Sequence, residues 1–339
     1  MTTTDDMSAL DTKERHAIRP VEKNGKADWI IRTRGISKSY RGAQRKAVDS
    51  LDLEIEKATI FGLLGPNGAG KTTTLSMLCG LLAPDSGTVE LAPGTSRTEL
   101  RKTIGYVPQD LALYPRLTAR ENLAFFGSLY QVSGERLRAR IDALLDLIGL
   151  SDRAGDKVQT YSTGMQRRLN LALGLIHEPR ILLLDEPTVG IDPQSRNCIF
   201  EAVLELRKHG TSILYTTHYM EEASRLCDRI AIMDEGRIIL EGDPREAVRR
   251  HGLTRMEFQV DGDGIEDAVA SVERIVSRTS RDGVLAISIA SGEDAMTVAR
   301  AVVDAGLRRG IAVSLSSVQE PNLESLFLDL TGKSLRDVA

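Results

Sequence analysis

The residues able to do chemistry begin with Gly65-Pro66-Asn67-Gly68-Ala69-Gly70-Lys71-Thr72-Thr73, which fits the pattern GxxxxGK[ST]. Glycines at this spacing let the backbone curl around a phosphate chain with its N–H groups pointing inward. A helix starting near Lys71 adds the positive end of its dipole, and the Lys71 ammonium neutralises charge on β- and γ-phosphates. The Thr72 hydroxyl suits a Mg²⁺ ligand. About 110 residues downstream, Ile181-Leu182-Leu183-Leu184 runs into Asp185-Glu186. In isolation an acidic pair after an apolar run is more often a helix cap or a solvated turn. With a phosphate loop upstream, Asp185 becomes a candidate to hold Mg²⁺ and Glu186 a candidate to orient or polarise an attacking water.

These groups need a scaffold. Residues 59–64, 181–184 and 212–217 are nearly continuous in apolar or β-branched side chains, the pattern of strands buried on both faces. From residue 29 to about 252 such runs alternate with helical patterns, which predicts an α/β domain with a largely parallel sheet and its chemistry at the C-terminal strand ends. Leu137, Ile141, Leu144, Leu145 and Ile148 recur at helical spacing and Gly149 follows as a C-cap, so this segment reads as an amphipathic packing helix. After Gly252 the pattern changes: 256–260 alternates, 265–275 is helical, 284–290 alternates, 295–305 is helical and 311–318 alternates. With 276–280 as a further strand the order becomes βαββαβ, a ferredoxin-like arrangement. The expected organisation is a mobile polar tail over 1–28, an α/β domain over 29–252 and a small α/β domain over 253–339.

Composition narrows the class. The chain has 339 residues, 41% of them hydrophobic and 27% charged, which is ordinary globular composition with room for two domains. Its 44 basic against 48 acidic residues give a net charge of −4, so the broad positive field of a nucleic-acid binder is absent and no nucleic-acid partner is expected. Cys79, Cys198 and Cys227 are far apart and form no CxxC pair, which speaks against a disulfide framework or a zinc site. No run approaches the roughly 20 apolar residues of a membrane span, and the first residues lack a cationic stretch followed by an apolar one, so no secretory signal is read there.

Tyr161-Ser162-Thr163-Gly164-Met165-Gln166-Arg167-Arg168, just before the acidic strand, is similar to the signature sequence of ABC ATPases. Over about residues 30 to 250 the chain resembles an ABC nucleotide-binding subunit, with its motifs in the family's order: Tyr40, the P-loop, Gln109 in Val107-Pro108-Gln109, the signature, the acidic strand, Asp192 in Gly190-Ile191-Asp192, and His218. The resemblance implies a P-loop NTPase ABC cassette, a RecA-like core plus a helical subdomain, that binds and hydrolyses ATP with Mg²⁺. It implies that Tyr40 stacks on adenine, that Gln109 contacts Mg²⁺ and senses a permease, and that Glu186 is the catalytic carboxylate. His218 would contact the γ-phosphate. Ser162 and Gly164, at a helix N-terminus, would contact the γ-phosphate held by a second copy, giving an ATP-sandwiched homodimer. Taken alone, Tyr40 would be a packing or surface tyrosine, His218 a structural histidine and Gln109 a solvated turn residue. The signature departs from LSGGQ at Tyr161, Thr163 and Met165, and a β-branched Thr163 near a phosphate would loosen the contact across the dimer or slow turnover.

Pro321-Asn322-Leu323-Glu324-Ser325-Leu326-Phe327-Leu328-Asp329-Leu330-Thr331-Gly332 resembles the ending common in ATPases of drug-resistance, antibiotic self-protection and polysaccharide or Nod-factor export systems. The implied function is the ATPase subunit of an exporter, bound peripherally at the cytoplasmic face of the membrane to a separately encoded permease. The alternatives are a soluble ABC ATPase of translation or DNA repair and a non-hydrolysing switch. The former types carry two cassettes or a long inserted coiled coil, which are not seen here, and intact Glu186 and His218 argue against the latter. As a simple amphipathic helix, the final segment is expected to cap the small domain with Leu323, Leu326, Phe327 and Leu330. Residues 253–339 contain no His or Cys and are expected to regulate or stabilise the dimer rather than to catalyse.

Overall fold

The fold comes from a computed structural model in which residues 29–92 and 100–332 are described; the tail expected over 1–28 lies outside them. The described residues begin with an antiparallel sheet in which β1 (Trp29–Lys38) pairs with β2 (Val48–Glu56) and with β4 (Ser86–Leu91). Between β2 and β4 come β3 (Ile60–Leu64) and α1 (Lys71–Leu78). Next α2 (Leu100–Thr103) leads into β5 (Ile104–Val107), and α3 (Ala119–Leu129), α4 (Gly134–Leu147) and α5 (Thr163–Leu175) precede β6 (Ile181–Asp185). Then follow α6 (Pro193–Lys208), β7 (Ser212–Thr217), α7 (Met220–Leu226), β8 (Arg229–Asp234), β9 (Arg237–Gly242) and α8 (Pro244–His251).

The central six-stranded sheet has the order β5-β6-β7-β3-β8-β9 and is parallel except for β9, which runs antiparallel to β8. Every residue of β3, β6 and β7 is buried, because one face packs on the antiparallel sheet and α1 while the other packs on the helices. Register then fixes the chemistry. Leu64 pairs with Thr217 and Asp185 with Thr216, so the ends of three neighbouring strands converge at one edge.

Helix ends follow local rules. Thr118 and Glu121 form a reciprocal capping box on α3. Asp192 caps α6 through Ser195 N–H, with Pro193 in the first turn. Helix α4 turns Ile141, Leu144 and Leu145 inward, and Gly149 leaves it at a φ of 61°.

Residues after Gly252 form β10 (Leu253–Asp261), α9 (Ile265–Ala268), β11 (Ile275–Arg281), β12 (Val284–Ala290), α10 (Ala295–Arg308), β13 (Ala312–Gln319) and α11 (Leu323–Thr331). The sheet is antiparallel in the order β11-β12-β10-β13, with its own core around Met256, Phe258, Ile287 and Val302. Two expectations are corrected. The helix read over 265–275 stops at Ala268, and after a turn at Val269–Ser271 the chain is drawn into β11 by pairing with β12. Helix α11 does not cap the small sheet: Leu323, Leu326 and Phe327 enter the core of the first domain, packed on α7 and α8. The apolar stripe is as expected, but a stripe does not name the surface it meets. Each such side chain contributes about 1.5–3 kcal/mol when fully buried.

Candidate functional site

At the end of β3 the backbone needs glycine for two separable reasons. Gly65 has a φ of 155° and a Cβ there would lie 2.2 Å from the Met233 carbonyl oxygen, while Gly70 has a φ of 109° and a Cβ would lie 2.3 Å from the Ala47 carbonyl oxygen. Gly70 begins α1 with no side-chain cap, and no acidic residue sits in the first turn. The positive end of the helix is therefore left for an anion.

Lys71, 5% exposed, gives its three donors to Gly65 O at 2.8 Å, Pro66 O at 3.0 Å and Glu186 Oε1 at 3.0 Å. The other oxygen of Glu186 meets His218 Nδ1 at 3.1 Å. P-loop, acidic strand end and histidine thus form one chain of contacts. Glu186 holds a left-handed φ of 45°, costly outside glycine, and its N–H donates to Thr216 Oγ1 at 2.9 Å. Burial alone would raise its carboxyl, but the His218 hydrogen bond and the Lys71 charge outweigh burial and hold it at about 2 against an ordinary 4.5.

Asp185 lies beside Thr216, whose hydroxyl is 2.9 Å from Oδ1, while its Oδ2 is buried with no hydrogen-bond partner. Burial pushes this carboxyl up, opposed by the Thr216 and Thr72 hydroxyls. A buried carboxylate oxygen without a partner, next to a threonine hydroxyl, is a donor set that fits a hard divalent cation.

The remaining expected residues surround this cluster. Tyr40, half exposed, places its hydroxyl 3.3 Å from Thr73 Oγ1 in the first turn of α1. Asn67 and Gly68 are exposed on the loop, whereas Pro66 and Ala69 are buried beneath it. Gln109 is exposed, and its carbonyl accepts a hydrogen bond from Arg167. Ser162 caps α5 through Met165 N–H at 3.2 Å. Gly164 abuts Asp192 and Ser195 on α6 rather than the P-loop of its own chain. Of the signature departures, Tyr161 stays buried in the core and donates its hydroxyl to Arg153 O at 2.6 Å, and Thr163 is exposed at the start of α5.

Several participants carry no motif. Asn170 spans the Gln109 loop by donating to Pro108 O at 3.2 Å and accepting from Ala112 N–H at 3.1 Å, so the loop is pinned to α5. Thr216 ties the Asp185 carboxylate to the Glu186 backbone N–H through one hydroxyl, and Tyr106 is held beside Asp185 with its phenol pushed up by burial and by that carboxylate. Only the polar tail of an otherwise apolar strand hints at Thr216.

Gly164→Ala tests the packing of the signature. The new Cβ would sit 2.1 Å from Ser195 Oγ and 2.6 Å from Ser195 Cβ, so α5 and α6 must part. Chemical denaturation should report a loss of about 1–3 kcal/mol, relieved in part by Ser195→Gly.

Phosphate-binding backbone, a buried lysine and paired carboxylates at adjoining ends of a parallel sheet are the constitution of a P-loop nucleoside triphosphatase. The ABC transporter family profile matches residues 48–189. The chain is 41% identical to the linearmycin resistance ATP-binding protein LnrL of Bacillus subtilis (strain 168), across 91% of this chain and 100% of that protein. It is 39% identical to the daunorubicin resistance ATP-binding protein DrrA3 of Streptomyces coeruleorubidus, across 91% and 98%. It is 37% identical to the Nod factor export ATP-binding protein I of Ralstonia nicotianae (strain ATCC BAA-1114 / GMI1000), across 91% and 95%. Among solved structures, a dimeric ATP-binding cassette in a post-hydrolysis state with ADP and Pi matches with a TM-score of 0.56 and 27% identity, covering 63% of this chain and 98% of that one. The chain belongs to the ABC transporter family, among its ATP-binding subunits, and is an ATP hydrolase.

Proposed function

We propose that this chain is the ATP-hydrolysing subunit of an exporter, working as a dimer of two copies on a separately encoded permease at the cytoplasmic face of the membrane. The observation that carries the reading is the Lys71–Glu186–His218 chain of contacts beside the unpartnered Asp185 oxygen. ATP phosphates draw Lys71 away from Gly65 O, Pro66 O and Glu186, and the released carboxylate orients the attacking water while His218 holds it and faces the γ-phosphate. Tyr40 supports the adenine. Asp185 and Thr72 would hold Mg²⁺, which would neutralise phosphate charge when bound, and Gln109 would contribute from the pinned loop. Ser162 and Gly164 complete the site on the second copy, and Asp192, next to Gly164, couples α6 to that interface.

Export rather than another use of ATP is supported by relatives named for resistance and Nod factor export, which this chain matches over nearly their whole length. Among the described residues no helix is long and apolar enough to cross a membrane. Tyr114, Phe125 and Leu129 form an exposed apolar cluster after the Gln109 loop, with Tyr114 and Phe125 rings 5.0 Å apart, and we assign permease docking to it. Residues 253–339 are assigned to regulating or stabilising the dimer.

Co-expression with a neighbouring membrane protein and purification through that partner tests the assignment. The wild-type chain should be recovered and its ATPase stimulated by cargo, whereas Phe125→Glu should be lost from the complex while it still binds a fluorescent ATP analogue. Equal recovery of both chains would reject this docking surface.

A further inference from the structure

Behind the proposed catalytic cluster lies a buried carboxylate that none of its contacts uses. Glu222, on α7, has a side chain only 2% exposed. Its Oε1 accepts from Thr188 Oγ1 at 2.8 Å, and its Oε2 accepts from Tyr215 OH at 3.0 Å and Thr217 Oγ1 at 2.9 Å. Arg196 Nε on α6 stands 3.6 Å away. These partners come from the two segments that carry the chemistry. Thr188 lies two residues beyond Glu186, and Thr217 immediately precedes His218. The Thr217 hydroxyl also accepts from Tyr219 N–H at 2.9 Å, so the backbone is held on both sides of the histidine.

We infer that Glu222 is a positioning residue that locks the Glu186 loop and the His218 loop into a single arrangement, so that carboxylate and imidazole stay in register when Lys71 leaves. This rests on the ATPase reading above. Filling the space would be cheaper with an apolar side chain, because a polar group buried among helices is costly unless each oxygen is satisfied. The carboxylate adds two acceptors that take hydroxyls from both segments at once, which an apolar side chain cannot do. Helix α7 is itself seated: Met220, Ala223 and Leu226 are buried, and α11 packs against it from the C-terminal region. The anchor point is therefore fixed from behind. Arg196 extends the same contact to α6, whose Asp192 and Ser195 support Gly164, so the network links the hydrolytic groups of one copy to the surface offered to the other.

The test uses the full chain with Glu222→Gln, Thr188→Val and Thr217→Val, each assayed for steady-state ATPase, fluorescent ATP-analogue binding and thermal unfolding. Glu222→Gln should lower kcat by about tenfold to a hundredfold, the cost of displacing reacting groups by an ångström or less, with KM and analogue affinity within about twofold of wild type. Each threonine variant should show a smaller loss of the same kind, and adding either to Glu222→Gln should cost little more, because all act through one network. If Glu222→Gln does not fold, the two threonine variants carry the test. A Glu222→Gln chain with wild-type kcat, or variants in which kcat and affinity fall together with the melting temperature, overturns the positioning role. A wild-type chain without ATPase activity would instead overturn the ATPase reading, and this inference with it.

Discussion

Glu186→Gln is expected to lower ATP turnover by about 10²- to 10⁴-fold, the range for removing a positioned general base, while ATP binding persists. The contacts explain both halves. Glutamine keeps the size that fits between Lys71 and His218, so the P-loop and Asp185 are undisturbed, but it loses the charge that orients water. Trapped ATP should then hold two copies together, and light scattering should report a larger mass with ATP and Mg²⁺ than without. An equal steady-state phosphate release from variant and wild type would reject the assignment.

Acid stability gives a second readout of the same variant. The Glu186 carboxyl is held at about 2 in the folded chain against 4.5 unfolded, so its ionised form stabilises the fold above pH 4.5, and that contribution is lost as the pH falls towards 2. Wild type should therefore lose more stability than Glu186→Gln between pH 6 and 3 in denaturant titrations.

Phe327→Ala should destabilise the nucleotide-binding domain by about 3–5 kcal/mol, the cost of emptying a fully buried aromatic site. Phe327 is 0% exposed and belongs to the same core as Met220, Ala223 and Leu226 on α7. Loss of this ring leaves a cavity behind the helix that follows His218, so the transition protected by ATP should move, as seen by thermal scans with and without nucleotide. Phe258→Ala empties the other core instead and should leave the ATP-protected transition nearly in place. Truncation after Gly252 removes Leu323, Leu326 and Phe327 together and should be worse than Phe327→Ala alone. A truncated chain as stable as wild type would mean that α11 contributes nothing to the first domain.

The sequence by itself determined everything whose geometry is local. The P-loop is nine consecutive residues between a strand and a helix, so phosphate-binding backbone, lysine and threonine hydroxyl are set by the loop's own conformation, and the acidic pair is set by where an apolar strand ends. Strand patterns over 181–184, 212–217 and 284–290 were legible because full burial and alternation each leave a periodic mark. Tertiary structure alone decided which distant side chains meet. Thr216 bridges Asp185 and Glu186 only because β7 lies beside β6, and Glu222 gathers Thr188, Tyr215 and Thr217 only because α7 folds back over that pair. Gln109 is held at its carbonyl by Arg167, and the residues around it, Pro108 and Ala112, by Asn170, from a helix about 60 residues away. The destination of α11 was equally hidden: Leu323, Leu326 and Phe327 define an apolar face, but burial is non-directional, and only the path of the chain brings that face to α7 rather than to the neighbouring sheet.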